Sequence, residues 1–143
     1  MSTVSIAKPS KALNAILWIV QVLLAAIFLM AGFMKLSQPI DQLATSLPWV
    51  TQVPSALVRF IGLAEVLGGL GLLLPSLLRI QPRLTVLAAW GLVLVMLLAS
   101  AFHLSRGESM MVGPNLVIAA LAAFVAWGRS KKALIQPKNA LAA

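Results

Sequence analysis

The sequence predicts an all-α fold: an integral-membrane four-helix bundle forming a single domain over residues 1–143. Three observations carry this expectation. The chain is 61% hydrophobic and 10% charged, with a mean hydropathy of +1.01, which is more apolar side chain than a soluble domain of 143 residues needs. Four apolar segments, at about residues 12–36, 55–74, 84–104 and 110–127, each come close to the roughly 20 residues that cross a bilayer as helix. The basic residues, eleven against three acidic ones, lie between those segments. A formal charge of +8 on a soluble protein would point to nucleic acid, but basic residues flanking apolar spans point to a membrane surface, and no nucleic-acid partner is expected.

The first segment follows Lys8 and Lys11, as the apolar core of a signal peptide would. Its run is too long and no small-residue cleavage site follows, so it reads as a retained helix. The connection "SQPIDQLATSLPWVTQVPSALVRF", residues 37–60, is the longest. Ile40, Leu43 and Leu47 have helical spacing, predicting a short amphipathic helix on the outer surface, and Pro48 and Pro54 bracket its exit. The second and third segments are uninterrupted. In the fourth, Pro114 either begins the helix or kinks it.

With both termini placed in the cytoplasm, Lys8, Lys11, Arg79, Arg83, Arg129, Lys131, Lys132 and Lys138 are all inside, and Lys35, Arg59 and Arg106 are outside or at the outer boundary. That asymmetry favours this orientation, with Trp127 at the inner and Trp49 at the outer interface.

Glu65 stands inside the apolar stretch "IGLAEVLGGLGLLLP", about ten residues into the second segment and so roughly 15 Å deep. A charge there costs at least about 2.5 kcal/mol by insertion scales, so the carboxyl either stays protonated or finds a donor. Gly62, Gly68 and Gly69, three and four residues away, let a neighbouring helix approach closely or leave room for a ligand. On the first segment, Asn14, Trp18, Gln21, Ala25, Phe28, Gly32 and Lys35 share one side that should face the bundle interior. Gln21 is expected at the depth of Glu65 and within hydrogen-bonding reach of it. Lys35 reaches Glu65 only if its side chain points inward or the helices are strongly offset. His103 ends the third segment, with Met96, Ala99 and Ser100 on its side. Asn115 heads a small-residue face of Ala119, Ala122 and Ala126 on the fourth. Lys35, Arg59, Glu65, His103 and Asn115 would then gather in the outer half as a polar pocket, while the inner half has little beyond Gln21 and Asn14.

Each residue also has a plain structural reading. Glu65 can be a helix–helix hydrogen-bonding group, His103 a snorkelling or capping residue, Lys35 and Arg59 interfacial anchors, and Asn115 part of a helix start. With no cysteine and one histidine, no metal site is expected and disulfide or thiol chemistry by this chain is excluded; haem with His103 as single axial ligand is allowed but unsignalled. No phosphate loop, dinucleotide fingerprint or nucleophile triad is present.

The segments "AIFLMAGFMKL", "VRFIGLAEVLGGLGLLLP" and "LAAWGLVLVMLLASAFHLSRGE" resemble the DoxX-like family of small bacterial four-helix membrane proteins, over residues 13–129. Gly32-x-x-Lys35, Gly62-x-x-Glu65 and His103, in this order, are the most specific parts. The resemblance implies the bacterial inner membrane and a membrane subunit or accessory of a quinone-linked oxidoreductase system. Lys35, Glu65 and His103 are the family-positioned candidates, and electrons or sulfur chemistry fall to redox partner proteins. On that reading Glu65 and His103 are the catalytic candidates, as proton carriers. Gln21, Lys35, Arg59 and Asn115 are the ligand-binding ones, with quinone or haem as cofactor. The alternative is a non-catalytic membrane scaffold or small-molecule carrier; a transporter would need a homo-oligomer, at least a dimer.

Overall fold

The structure, a computed structural model, describes residues 8–141; residues 1–7 and 142–143, which the expected domain includes, lie outside the described residues. It is all-helical. The long helices are α1 (Lys11–Ser37), α3 (Ser55–Leu78), α4 (Arg83–Ser105) and α5 (Val112–Trp127), with a short α2 (Ile40–Ala44) after α1. Turns of 3-10 helix cover Pro48–Gln52 and Ser109–Met111, and α5 runs on into a π-helical turn, Gly128–Lys132.

Prolines set most of the boundaries, because the residue before a proline avoids the helical region and proline needs no backbone partner in a first turn. Pro54 and Pro82 immediately precede α3 and α4. Pro114 sits in the first turn of α5, so it begins that helix and does not kink it. Pro75 behaves differently. The sequence reading closes the second helix at Leu74, but α3 continues through Pro75 to Leu78. Pro75 cannot donate to the Gly71 carbonyl. One residue on, the Leu72 carbonyl accepts a 2.7 Å hydrogen bond from Gln21 Nε2, which ties this turn of α3 to α1.

The packing order around the bundle is α1–α3–α4–α5, with α5 closing on α1. The core is built from Leu24, Ala25 and Phe28 of α1, Leu72 of α3, Leu92 and Met96 of α4, and Ala119, Ala122 and Val125 of α5. The outward surface is apolar: Phe33, Phe60 and Leu87 are each 67% exposed. In each of four helical stretches, Lys11–Ser37, Ser55–Leu78, Arg83–Ser105 and Ser109–Lys132, no more than a third of the most apolar window is buried. An interior of mixed polarity inside a uniformly apolar shell is the arrangement that a bilayer requires. At the end of the bundle away from the termini, Leu43 of α2, Val50 and Val58 form a second small core, so the α1–α3 connection folds over that end.

The α1–α3 contact depends on two glycines. A Cβ on Gly32 would lie 2.6 Å from the Gly62 carbonyl oxygen and 2.8 Å from Val66 Cγ2; a Cβ on Gly62 would lie 2.8 Å from Lys35 Cβ. Backbone meets backbone here, so neither contact can be relieved by a rotamer change. Gly32→Ala is expected to lower stability by about 1–3 kcal/mol, because the helices must separate. Gly91→Ala, whose Cβ would meet nothing within 4 Å, is the control and should leave the melting temperature unchanged or slightly raised. Thermal unfolding of both variants in detergent, followed by circular dichroism, checks this.

Candidate functional site

The close α1–α3 approach brings together the only buried pair of opposite charges among the described residues. Lys35 Nζ donates to Glu65 Oε2 at 2.8 Å and to Oε1 at 3.1 Å, with the two residues 6% and 5% exposed. The helices run antiparallel, and Cα–Cβ bonds lean towards each helix's own N-terminus. Lys35 therefore leans into the bundle and Glu65 leans towards its near end. The lysine stem crosses Gly62, where a Cβ would obstruct it. Arg59 Nη1 donates to the Lys35 carbonyl, holding the last turn of α1 against α3.

A cavity of about 410 Å³ adjoins the pair. Lys35 and Glu65 form one side; Met96 and His103 of α4 and Asn115 of α5 form another. Leu47, Trp49 and Val53 of the α1–α3 connection, with Phe60 and Phe102, complete its apolar lining. Trp49 meets Phe102 edge-on at 5.8 Å, and Phe102 meets His103 at 5.6 Å. Asn115 Nδ2 is buried and has no hydrogen-bond partner among the described residues.

His103 is tied to Glu108, which the sequence reading did not single out. Glycine at 107 adopts φ +73°, a left-handed turn that folds Glu108 back on the end of α4. Glu108 Oε2 lies 2.6 Å from His103 Nδ1, and Oε1 accepts from Arg106 Nε (2.9 Å) and Nη2 (2.8 Å). Arg106 Nη1 also donates to Gln52 Oε1 in the connection. The Arg106 bonds, and then the one with His103, hold the Glu108 carboxyl below its ordinary range. An ionised Glu108 can only accept, so His103 Nδ1 carries the proton and Nε2 is the atom left free to exchange one. The spacing "HLSRGE" carried the signal: histidine, arginine and glutamate across a glycine turn.

Of the residues expected in the pocket, Lys35, Glu65, His103 and Asn115 line it. Arg59 does not; it acts on the Lys35 backbone. Gln21 is elsewhere, and the expected Gln21–Glu65 hydrogen bond is absent. Ala25 and Leu29 already face Gly69, so Gln21 sits beyond them at Leu72, well short of Glu65. Counting ten residues in from opposite ends equates their depths only for shorter helices than these, which have 27 and 24 residues. Arg129, read as an inner-loop cation, is 4% exposed. It donates to Gln21 Oε1 and to Asn14 Oδ1 (2.6 Å) and lies 5.0 Å from the Trp18 ring. The half of the bundle that carries the termini is therefore not the poorly furnished region expected. Asn14 and Gln21, polar and on one interior face, were the sign that a donor had to meet them.

These features define a multi-pass membrane protein with an ion pair and an imidazole beside a cavity near one end of a four-helix bundle. The chain belongs to the DoxX-like family, whose profile matches residues 19–125. No curated protein matches the chain. No solved structure matches it either.

Two predictions follow from the geometry. Lys35→Met and Glu65→Leu should each destabilise by about 3 kcal/mol, since each strands a buried polar partner, whereas the two together should recover most of the loss. Unfolding of the four proteins in mixed micelles gives the coupling; additive losses would show that the pair is not interacting. Glu108 is a carboxyl with a lowered folded-state pKa, so its contribution is full above about pH 4.5 and is lost as the pH falls from there through its folded value. The melting temperature of the native protein should therefore fall between pH 5 and 3 more steeply, by roughly a few degrees, than that of Glu108→Gln.

Proposed function

We propose that the protein is a membrane subunit or accessory of a quinone-linked redox system, and that the cavity beside Lys35 and Glu65 receives the quinone ring. The observation that supports this best is the convergence of Lys35, Glu65, His103 and Asn115 on one apolar cavity of about 410 Å³, with Asn115 Nδ2 lacking a partner. Small-molecule sites combine an apolar lining of this size with a few polar groups. A quinone offers two carbonyl acceptors on an apolar ring, so it calls for donors on separate walls. Asn115 supplies one from α5, and Lys35 or His103 supplies the other.

Reduction of a quinone to its quinol consumes two electrons and two protons. The chain has no cysteine and no flavin or nicotinamide fingerprint, so the electrons come from a redox partner protein. His103 hands over or takes a proton at Nε2, its Nδ1 being fixed on Glu108. Glu65 is the second proton carrier. Gln21, once considered for a quinone carbonyl, belongs to the Arg129 cluster and has no part in this reading. The concentration of basic residues near the termini supports a bacterial inner-membrane location with both termini cytoplasmic, which puts the cavity in the outer half of the membrane.

One observation favours the scaffold reading: both Glu65 oxygens already accept from Lys35, as a purely structural pair would. Short-chain quinone titrated into the detergent-solubilised protein, with tryptophan quenching as the readout, separates the two. Asn115→Leu and His103→Phe should each weaken binding roughly tenfold. No saturable binding to the native protein, or binding to both variants as tight as to the native protein, would refute the quinone site and leave the scaffold.

A further inference from the structure

A second cavity, of about 700 Å³, opens at the end of the bundle that carries the termini. Arg83 and Trp90 of α4, Ser76 of α3, and Arg129, Leu134 and Gln136 contribute to its walls. The chain after α5 is strapped over this end: Arg79 Nε donates to the Gln136 carbonyl at 2.8 Å, and the Lys138 amide donates to the Arg79 carbonyl at 3.1 Å. The strap follows the π-helical turn of Gly128–Lys132, the kind of local rewinding that places side chains at functional positions.

Arg129 is the unusual member. Its guanidinium is held by two amide oxygens and by the Ala133 carbonyl (3.2 Å), all of them neutral acceptors, and Nη2 has no partner among the described residues. The ion pairs among the described residues involve Glu65 and Glu108, and the remaining acidic residue, Asp41, lies on α2; all three are in the other half of the bundle. Arg79, Arg83, Lys131, Lys132 and Lys138 add to the positive charge at the cavity end. A buried cation with no counter-charge among the described residues is a costly arrangement, and an anion would complete it. The cavity also reaches the lipid-facing side of α4, where Leu87 is 67% and Trp90 51% exposed. A free phosphate would use the arginines but leave that apolar mouth unused, whereas a lipid uses both.

We propose that this cavity binds the phosphate of an anionic phospholipid, paired by Arg129 and Arg83, with an acyl chain lying along Leu87 and Trp90. Guanidinium groups suit phosphate through parallel charge-assisted hydrogen bonds, and basic recesses between membrane helices are a recurrent setting for lipid headgroups. The site is independent of the quinone reading and stands or falls separately from it.

Native mass spectrometry of the full chain in non-ionic detergent, titrated with phosphatidylglycerol, phosphatidylcholine or inorganic phosphate, tests the proposal. One phosphatidylglycerol per chain should be retained, roughly tenfold in preference to phosphatidylcholine. Arg129 also anchors Asn14 and Gln21, so its replacement threatens folding. The test therefore uses Arg83→Gln and Ser130→Asp at the cavity wall, each with its melting temperature in lipid-free detergent as a folding check. Each should lower phosphatidylglycerol retention about tenfold without changing that melting temperature. Equal retention of the two lipids, or undiminished retention of phosphatidylglycerol in both variants, overturns the proposal. Displacement of phosphatidylglycerol by millimolar inorganic phosphate overturns the lipid assignment in favour of a soluble anion.

Discussion

The Lys35–Glu65 pair constrains everything around it. Two charges removed from water recover their desolvation cost only at hydrogen-bonding distance with their remaining atoms satisfied, so the helices that carry them have little freedom to shift. The glycines at 32 and 62 let the backbones come close enough, the antiparallel run of α1 and α3 tilts the two side chains towards each other, and Arg59 clasps the end of α1. Sliding α1 by one helical turn would break the pair and drive side chains into both glycines. A single polar contact thus sets the register of two helices in a membrane, where apolar surface alone gives little preference for one register over another.

That register divides the interior into two unlike halves. In the half with Glu65 and Glu108 the buried Lys35 is neutralised by Glu65, and the partly exposed Arg106 by Glu108. The other half holds Arg129 among amides, a carbonyl and an indole, with no acid among the described residues. Neutral acceptors orient a guanidinium without discharging it. On the two proposals one end would take a ligand without net charge and the other an anion, with Phe28, Leu24 and Leu92 of the apolar core between them.

The parts legible in the sequence were those governed by composition and single-helix periodicity. Four long apolar runs gave the four long helices, and a midspan glutamate in a run of glycines pointed to a cavity that Lys35, His103 and Asn115 also line. What failed were statements about the relative depth of two helices. Gln21 and Glu65 were matched by counting from helix ends, but register is decided by where Gly32 meets Gly62, a contact that no one-helix pattern contains. Arg129 was misplaced for a related reason: helical hydropathy ends at Trp127, yet the π-helical turn carries the chain one turn further and swings the guanidinium inward. Glu108 was passed over because it lies in a short loop. There local geometry, here the positive φ of Gly107, decides where a side chain points. The sequence reading ends the second segment at residue 74, just before Pro75, whereas in the bundle α3 runs on to Leu78 with its Leu72 turn tied to Gln21 of α1.

The ion pair also bears on how the cavity can take a ligand without being dismantled. The Lys35 ammonium has three donors. Two are taken by the Glu65 oxygens, and the third reaches the Ala31 carbonyl at 3.5 Å, a long contact to an atom already inside the α1 ladder. A carbonyl placed in the cavity would compete with that third, longest contact before either bond to Glu65. Under the proposed quinone reading the order of events then matters. While the ring stays oxidised, Lys35 serves both partners. A negative charge building on the ring oxygen would draw the ammonium towards it, while the Glu65 carboxylate stays within reach of the same cation. Coupling of that kind needs a cation shared between the carboxylate and the incoming ring oxygen. A glutamate held only by an amide, as an expected Gln21 partner would have held it, could not respond in this way.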